Sequence, residues 1–110
     1  MQSEKSIESY LRDQVKKIGG ASYKFTSPGN AGVPDRICVM PNGSVVFVEL
    51  KRADGILSRI QCAQFLKLRK LQQTIWVCRG KEDVDDFIRH YAGPKAEPAK
   101  RQTGAASENI

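Results

Sequence analysis

A chain of 110 residues, 40% hydrophobic and 27% charged, has room for one compact domain and not for two. Its longest strongly apolar run, Val45 to Val48, is far too short for a membrane-spanning helix, and no apolar stretch follows Met1 to Lys5. The formal net charge of +6 points to a polyanionic partner, and before Gly93 there are already 15 Lys and Arg against 10 Asp and Glu.

In chain order, Ser3 to Ile18 reads as an amphipathic helix. Ile7, Leu11, Val15 and Ile18 recur at helical spacing, and Gly19-Gly20 ends the pattern. Tyr23 to Thr26 is a short strand, and Ser27 to Gly32 is a loop by composition. Strands follow at Ile37 to Met40 and Val45 to Lys51, separated by Pro41-Asn42-Gly43. Ser58 caps a second helix that runs to Gln72 or Gln73. Thr74 to Cys78 is a β-branched and aromatic strand. Glu82 to Tyr91 is a third helix with an acidic start, stopped by Gly93-Pro94. The expected fold is α/β, a mixed central sheet flanked by helices in the order α-β-β-β-α-β-α. One domain is expected over residues 1–92. From Gly93 to Ile110 a disordered tail is expected, because it lacks large apolar residues until its end.

Cys38, Cys62 and Cys78 are widely spaced, and His90 is the only histidine. That spacing argues against zinc, and the cysteines read as reduced residues of the core. His90 reads as a residue of a helix surface or C-terminus.

The chemistry concentrates in Pro34-Asp35 and Glu49-Leu50-Lys51. Glu49 and Lys51 are two apart on a strand, so both leave the same face. Whether Asp35 joins them depends on the hairpin turn. A two-residue Asn42-Gly43 loop places Asp35 opposite Leu50, facing away from Glu49. A three-residue Pro41-Asn42-Gly43 loop pairs Met40 with Ser44 and places Asp35 opposite Glu49. Proline suits the first central position of a type I turn and Gly43 the left-handed position after it, which favours the second register. Two carboxylates on one face make an all-oxygen site suited to Mg²⁺ or Mn²⁺. A neighbouring lysine orients an attacking water, takes its proton or steadies developing charge. The implied reaction is hydrolysis of a phosphodiester. Lys24, Arg36, Arg52 and Arg59 flank these motifs and are candidates for phosphate contacts.

These residues resemble the signature of the PD-(D/E)XK nuclease superfamily. Gly32-Val33-Pro34-Asp35, the Glu-x-Lys strand, and Leu57-Ser58 followed by Gln61 resemble, more narrowly, the VRR-NUC (virus-type replication-repair nuclease) domain. The resemblance covers residues 4 to 92 and departs at Leu71 to Thr74, where a glycine is expected before the last strand. It implies a restriction-endonuclease-like core. Asp35, Glu49 and the main-chain carbonyl of Leu50 are then metal ligands, and Lys51 is the catalytic lysine. Glu8 matches an acidic residue on the first helix that acts at the metal through a water; it borders the apolar stripe, and the competing reading is a surface pair with Arg12. Gln61 lies one turn before Phe65 on the apolar face of its helix, so it needs a polar partner, which the resemblance makes the active site. The implied function is a structure-selective DNA endonuclease that cuts four-way (Holliday) junctions as a homodimer, with no membrane or zinc. Alternatives are a monomeric nuclease for flaps, nicks or single strands, and a module that binds nucleic acid without cutting it. The implied setting is intracellular, in a bacterial cytoplasm or nucleoid, or a host cell for a viral protein.

Overall fold

The computed structural model describes residues 1–93, so the expected tail lies, from Pro94 onward, outside the described residues. The elements are α1 (Glu4–Lys17), β1 (Ala21–Lys24), β2 (Arg36–Val39), β3 (Val45–Leu50), α2 (Arg59–Lys70), β4 (Ile75–Cys78) and α3 (Lys81–Ala92). Their order is the expected one. The strands form one mixed sheet in the order β1-β2-β3-β4, antiparallel except for the parallel β3–β4 pair. Among the described residues no helix is long and apolar enough to cross a membrane.

Alternation along the strands divides the sheet into two faces. Cys38, Val46, Val48, Leu50 and Cys78 point to one side. There they form a single core with Ile7, Leu11 and Val15 of α1 and Val84, Phe87 and Tyr91 of α3. The intervening residues point to the other side, where Phe47 packs on Phe25 with ring centroids 5.6 Å apart and Glu49 meets Gln61 of α2. The sheet therefore carries α1 and α3 on one face and α2 on the other. Of the three cysteines, Cys38 and Cys78 are buried as expected. Cys62 is exposed on α2, a correction, because the helix buries Phe65 alone and Cys62 stands about 100° round it from Gln61, the residue that meets the sheet.

Two of the three helix starts are side-chain capped, those of α1 and α2. The Ser3 hydroxyl accepts from Ser6 N–H (3.0 Å). Ser58 accepts from Gln61 N–H (3.1 Å) while Gln61 Oε1 accepts from Ser58 N–H (2.9 Å), a reciprocal capping box. The second helix stops at Lys70, short of the expected Gln72 or Gln73. Gln73 N–H donates to Leu68 O and Gln72 N–H to Arg69 O, both at 3.0 Å, a Schellman closure that forces the residue between into the left-handed region. That residue is Gln72, at φ 68, the one non-glycine of positive φ among the described residues. It stands in the Leu71 to Thr74 segment, where the family resemblance predicts a glycine. Gln72→Gly is expected to stabilise the domain by about 1 kcal/mol, by relieving Cβ strain, and a few degrees of melting temperature would register it. An unchanged or lower melting temperature would show that Gln72 is unstrained.

The β2–β3 turn decides the placement of Asp35. Met40 N–H donates to Ser44 O (2.8 Å) and Gly43 N–H to Met40 O (2.9 Å), closing a Pro41-Asn42-Gly43 loop with Gly43 at φ 92. The ladder runs Val39↔Val45 to Arg36↔Val48, so one step further puts Asp35 across from Glu49. This is the three-residue-loop register.

Candidate active site

Glu49, on β3, is 2% exposed. Its Oε2 accepts from Gln61 Nε2 (2.9 Å) and lies 3.8 Å from Lys51 Nζ. Its other oxygen, Oε1, is the one buried side-chain polar atom without a hydrogen-bond partner among the described residues. Burial, and then the charge of Asp35, push the Glu49 carboxyl up from 4.5 to about 7, against the opposing pull of Lys51 and Gln61. Asp35 is fixed differently: its Oδ2 accepts from Leu50 N–H (3.0 Å), and its main-chain oxygen from Phe25 N–H (2.8 Å). A β3 backbone group thus orients the carboxylate that stands across the ladder from Glu49.

Lys51 begins the segment after β3. Its N–H donates to Cys78 O (3.0 Å), which ties it to the end of β4, and its side chain is 16% exposed. Gln61 is tethered twice, by the capping box and by Glu49. One helix start therefore sets the position of a site hydrogen bond. The trio and Gln61 come together as the sequence suggested.

Glu8 sits nearby but is differently engaged. Its Oε2 pairs with Arg36 Nη1 at 2.8 Å, in place of the Arg12 considered from sequence. It lines a cavity of about 370 Å³ with Glu4, Lys5, Lys24, Asp35 and Leu50, so it faces the same space as Asp35. Among the described residues no three His, Cys, Asp or Glu side chains converge closely enough to hold an ion. The acidic donors that meet here are therefore Asp35 and Glu49. That set still fits a hard dication, because such ions often take one or two carboxylates and keep several waters. The buried, unpartnered Glu49 Oε1 is the oxygen suited to a cation.

The candidates for phosphate contact separate by burial. Lys24 is exposed on the cavity wall. Arg59 is exposed at the start of α2, and Arg52 is exposed beside Asp54 at 3.3 Å. Arg36 is corrected: it is 7% exposed, its Nε donates to Ser22 Oγ (2.9 Å) and its Nη2 to Ser22 O (3.1 Å), so its guanidinium is occupied inside the fold. Two basic residues escaped the sequence reading. Lys5 lines the Asp35 cavity, and its position one turn before Glu8 on α1 was the available signal. Arg79 follows Cys78, the β4 partner of Leu50, and so falls beside Lys51; that neighbour emerges only with the parallel register.

No family model matches the chain. Over 48 residues it is 58% identical to a protein named "Putative nuclease p44" from Acyrthosiphon pisum secondary endosymbiont phage 1, a match that covers 44% of this chain. It spans about half of that curated relative, 52% of its length. A solved structure described as a VRR_NUC domain is similar with a TM-score of 0.75 and 27% identity, covering 80% of this chain and 96% of that one. With this likeness added to the motif residues and the strand register, the chain has the fold of a VRR-NUC domain.

Proposed function

We propose that the chain is a Mg²⁺- or Mn²⁺-dependent DNA endonuclease that hydrolyses phosphodiester bonds and cuts four-way junctions as a homodimer. The observation that carries this reading is the buried, unpartnered Glu49 Oε1 beside Asp35, with Lys51 Nζ 3.8 Å from the other oxygen of the same carboxylate. A carboxylate oxygen without a donor in the interior is costly, and a bound cation removes the cost. The name of the phage relative and the likeness to a VRR-NUC domain support the nuclease chemistry.

In this reading Asp35, Glu49 and the Leu50 carbonyl would hold the ion, and Glu8, whose Oε2 pairs with Arg36, would act at it through a water. When bound, the ion supplies Lewis acidity toward a phosphoryl oxygen and an attacking water. The protein's own contribution is positioning. Leu50 N–H aims Asp35, and Gln61 holds one Glu49 oxygen so that the other is left for the ion. Lys51 orients the attacking water or steadies the charge that develops on the phosphate. Lys24 draws the strand to the cavity by charge, with Arg52 and Arg59 as further phosphate contacts. Two such sites related by a two-fold axis suit paired cuts across a junction.

The test sets labelled four-way junction, flap, nicked duplex and single strand side by side, with and without Mg²⁺ or Mn²⁺, alongside mass by light scattering. The expected outcome is ion-dependent cutting of the junction by a particle of two chains. Preference for flaps, nicks or single strands with the mass of one chain would instead support a monomeric nuclease. Binding without cutting under every ion would overturn the enzyme reading.

A further inference from the structure

We infer that Arg79 is a positioning residue for Lys51, acting as a strut that holds the connection between β3 and α2 over the lysine side chain. The inference rests on the reading of Lys51 as catalytic. Residues 52–57 lead from Lys51 to the Ser58 cap, and thus join the lysine to the helix that carries Gln61. Gly55 N–H donates to Arg52 O (2.9 Å), which folds the segment into a turn. A Cβ at Gly55 would lie 3.3 Å from Lys51 Cδ, so this turn packs against the lysine stem.

The Arg52 side chain ties the turn to Met1 Sδ (3.3 Å). Among the described residues, the hydrogen bond from Arg79 Nη1 to Gly55 O, at 2.5 Å, is the one that joins the backbone of 52–57 to another element. Beside it opens a cavity of about 450 Å³ lined by Met1, Gln2, Ala53, Arg79, Gly80 and Glu82, which leaves the turn room to move. Arg79 itself is well anchored: its N–H donates to Asp83 Oδ2 (2.7 Å) at the start of α3. It directly follows Cys78, whose carbonyl receives Lys51 N–H. The end of β4 and the residue after it therefore fix the lysine's backbone through Cys78 and its stem through Arg79 and Gly55. Arginine suits the role, since its guanidinium projects a directed donor over a long reach.

The experiment compares wild type, Arg79→Met, Arg79→Lys, Lys51→Ala and the Lys51→Ala/Arg79→Met double variant in single-turnover cleavage of the DNA that the wild type cuts, with Mg²⁺. DNA affinity is measured in EDTA, and amide hydrogen exchange is followed across residues 52–57. Arg79→Met is expected to slow cleavage on the order of tenfold or more, because small displacements of a catalytic group are expensive. Affinity should stay within about twofold, Arg79→Lys should recover part of the rate, and exchange should quicken at 52–57. In the Lys51→Ala background Arg79→Met should add no further loss. An unchanged rate, an affinity loss equal to the rate loss, or additivity in the double variant would overturn the inference. If the wild type cuts no DNA at all, the nuclease reading is what fails; unchanged exchange at 52–57 would then independently refute the strut.

Discussion

Glu49→Gln should abolish ion-dependent cleavage and, in the absence of metal, make the domain more stable at pH 8. Glu49 is 2% exposed, and its carboxyl is raised from 4.5 to about 7, first by burial and then by the Asp35 charge. Between those two values the folded state holds a proton that the unfolded chain has already lost. Stability therefore falls as pH rises through that window, and the full cost is present above about pH 7. The displacement corresponds to roughly 3 kcal/mol at most, a large share of the stability of so small a domain. The introduced amide has no charge to bury. It keeps an oxygen to accept from Gln61 Nε2 and gains a donor on the side of Asp35. In EDTA, the variant should melt several degrees above wild type at pH 8, and the gap should close toward pH 5. Mg²⁺ should restore wild type and leave the variant nearly unmoved, since a ligand stabilises only the state that binds it. A variant that melts lower than wild type at both pH values would remove the buried charge as the source of strain.

That trade between stability and site chemistry is partly legible in the sequence. Glu49 breaks a run of apolar residues from Val45 to Leu50, and such a break in local consistency marks a place where function overrides packing. The partner across the sheet was legible as well, because Pro41 and Gly43 constrain the turn, and a turn fixes register along the whole hairpin. Ser58 and Gln61 announced both a cap and a site contact, and one side chain serves both.

What the residues did not reveal depends on segments far apart in the chain. Arg36 looked like a surface cation next to the motif, yet Ser22 and Glu8, from β1 and α1, enclose it. β1 begins at Ala21, two residues before the expected Tyr23, because Val39 and Cys38 offer ladder partners to Ala21 and Ser22 that local propensity does not register. Arg79 was silent because the register of a parallel pair is set by a long crossover through α2, with no turn chemistry to read.

Lys51→Met should slow cleavage by a factor of about 10² to 10⁴, the usual contribution of a positioned acid–base or charge-stabilising group. DNA affinity in EDTA should hardly change, because Lys51 is only 16% exposed and faces Glu49 across 3.8 Å. The variant also separates two ways in which the ammonium could act. Lys51 opposes the upward push on the Glu49 carboxyl. Its removal should therefore raise that carboxyl further, and shift ion binding, read as Mg²⁺-dependent stabilisation, to higher pH. If Lys51 served only to keep Glu49 ionised, saturating Mg²⁺ at pH 9 would return the variant to the wild-type rate. If it acts on the attacking water or the phosphate, the rate loss persists there although the ion is bound. We expect persistence. Lys51→Arg sharpens the contrast, since it keeps a positive charge beside Glu49 but presents a planar, longer donor that the turn at Gly55 was not shaped to hold. It should preserve the pH dependence of Mg²⁺ stabilisation while recovering little of the rate.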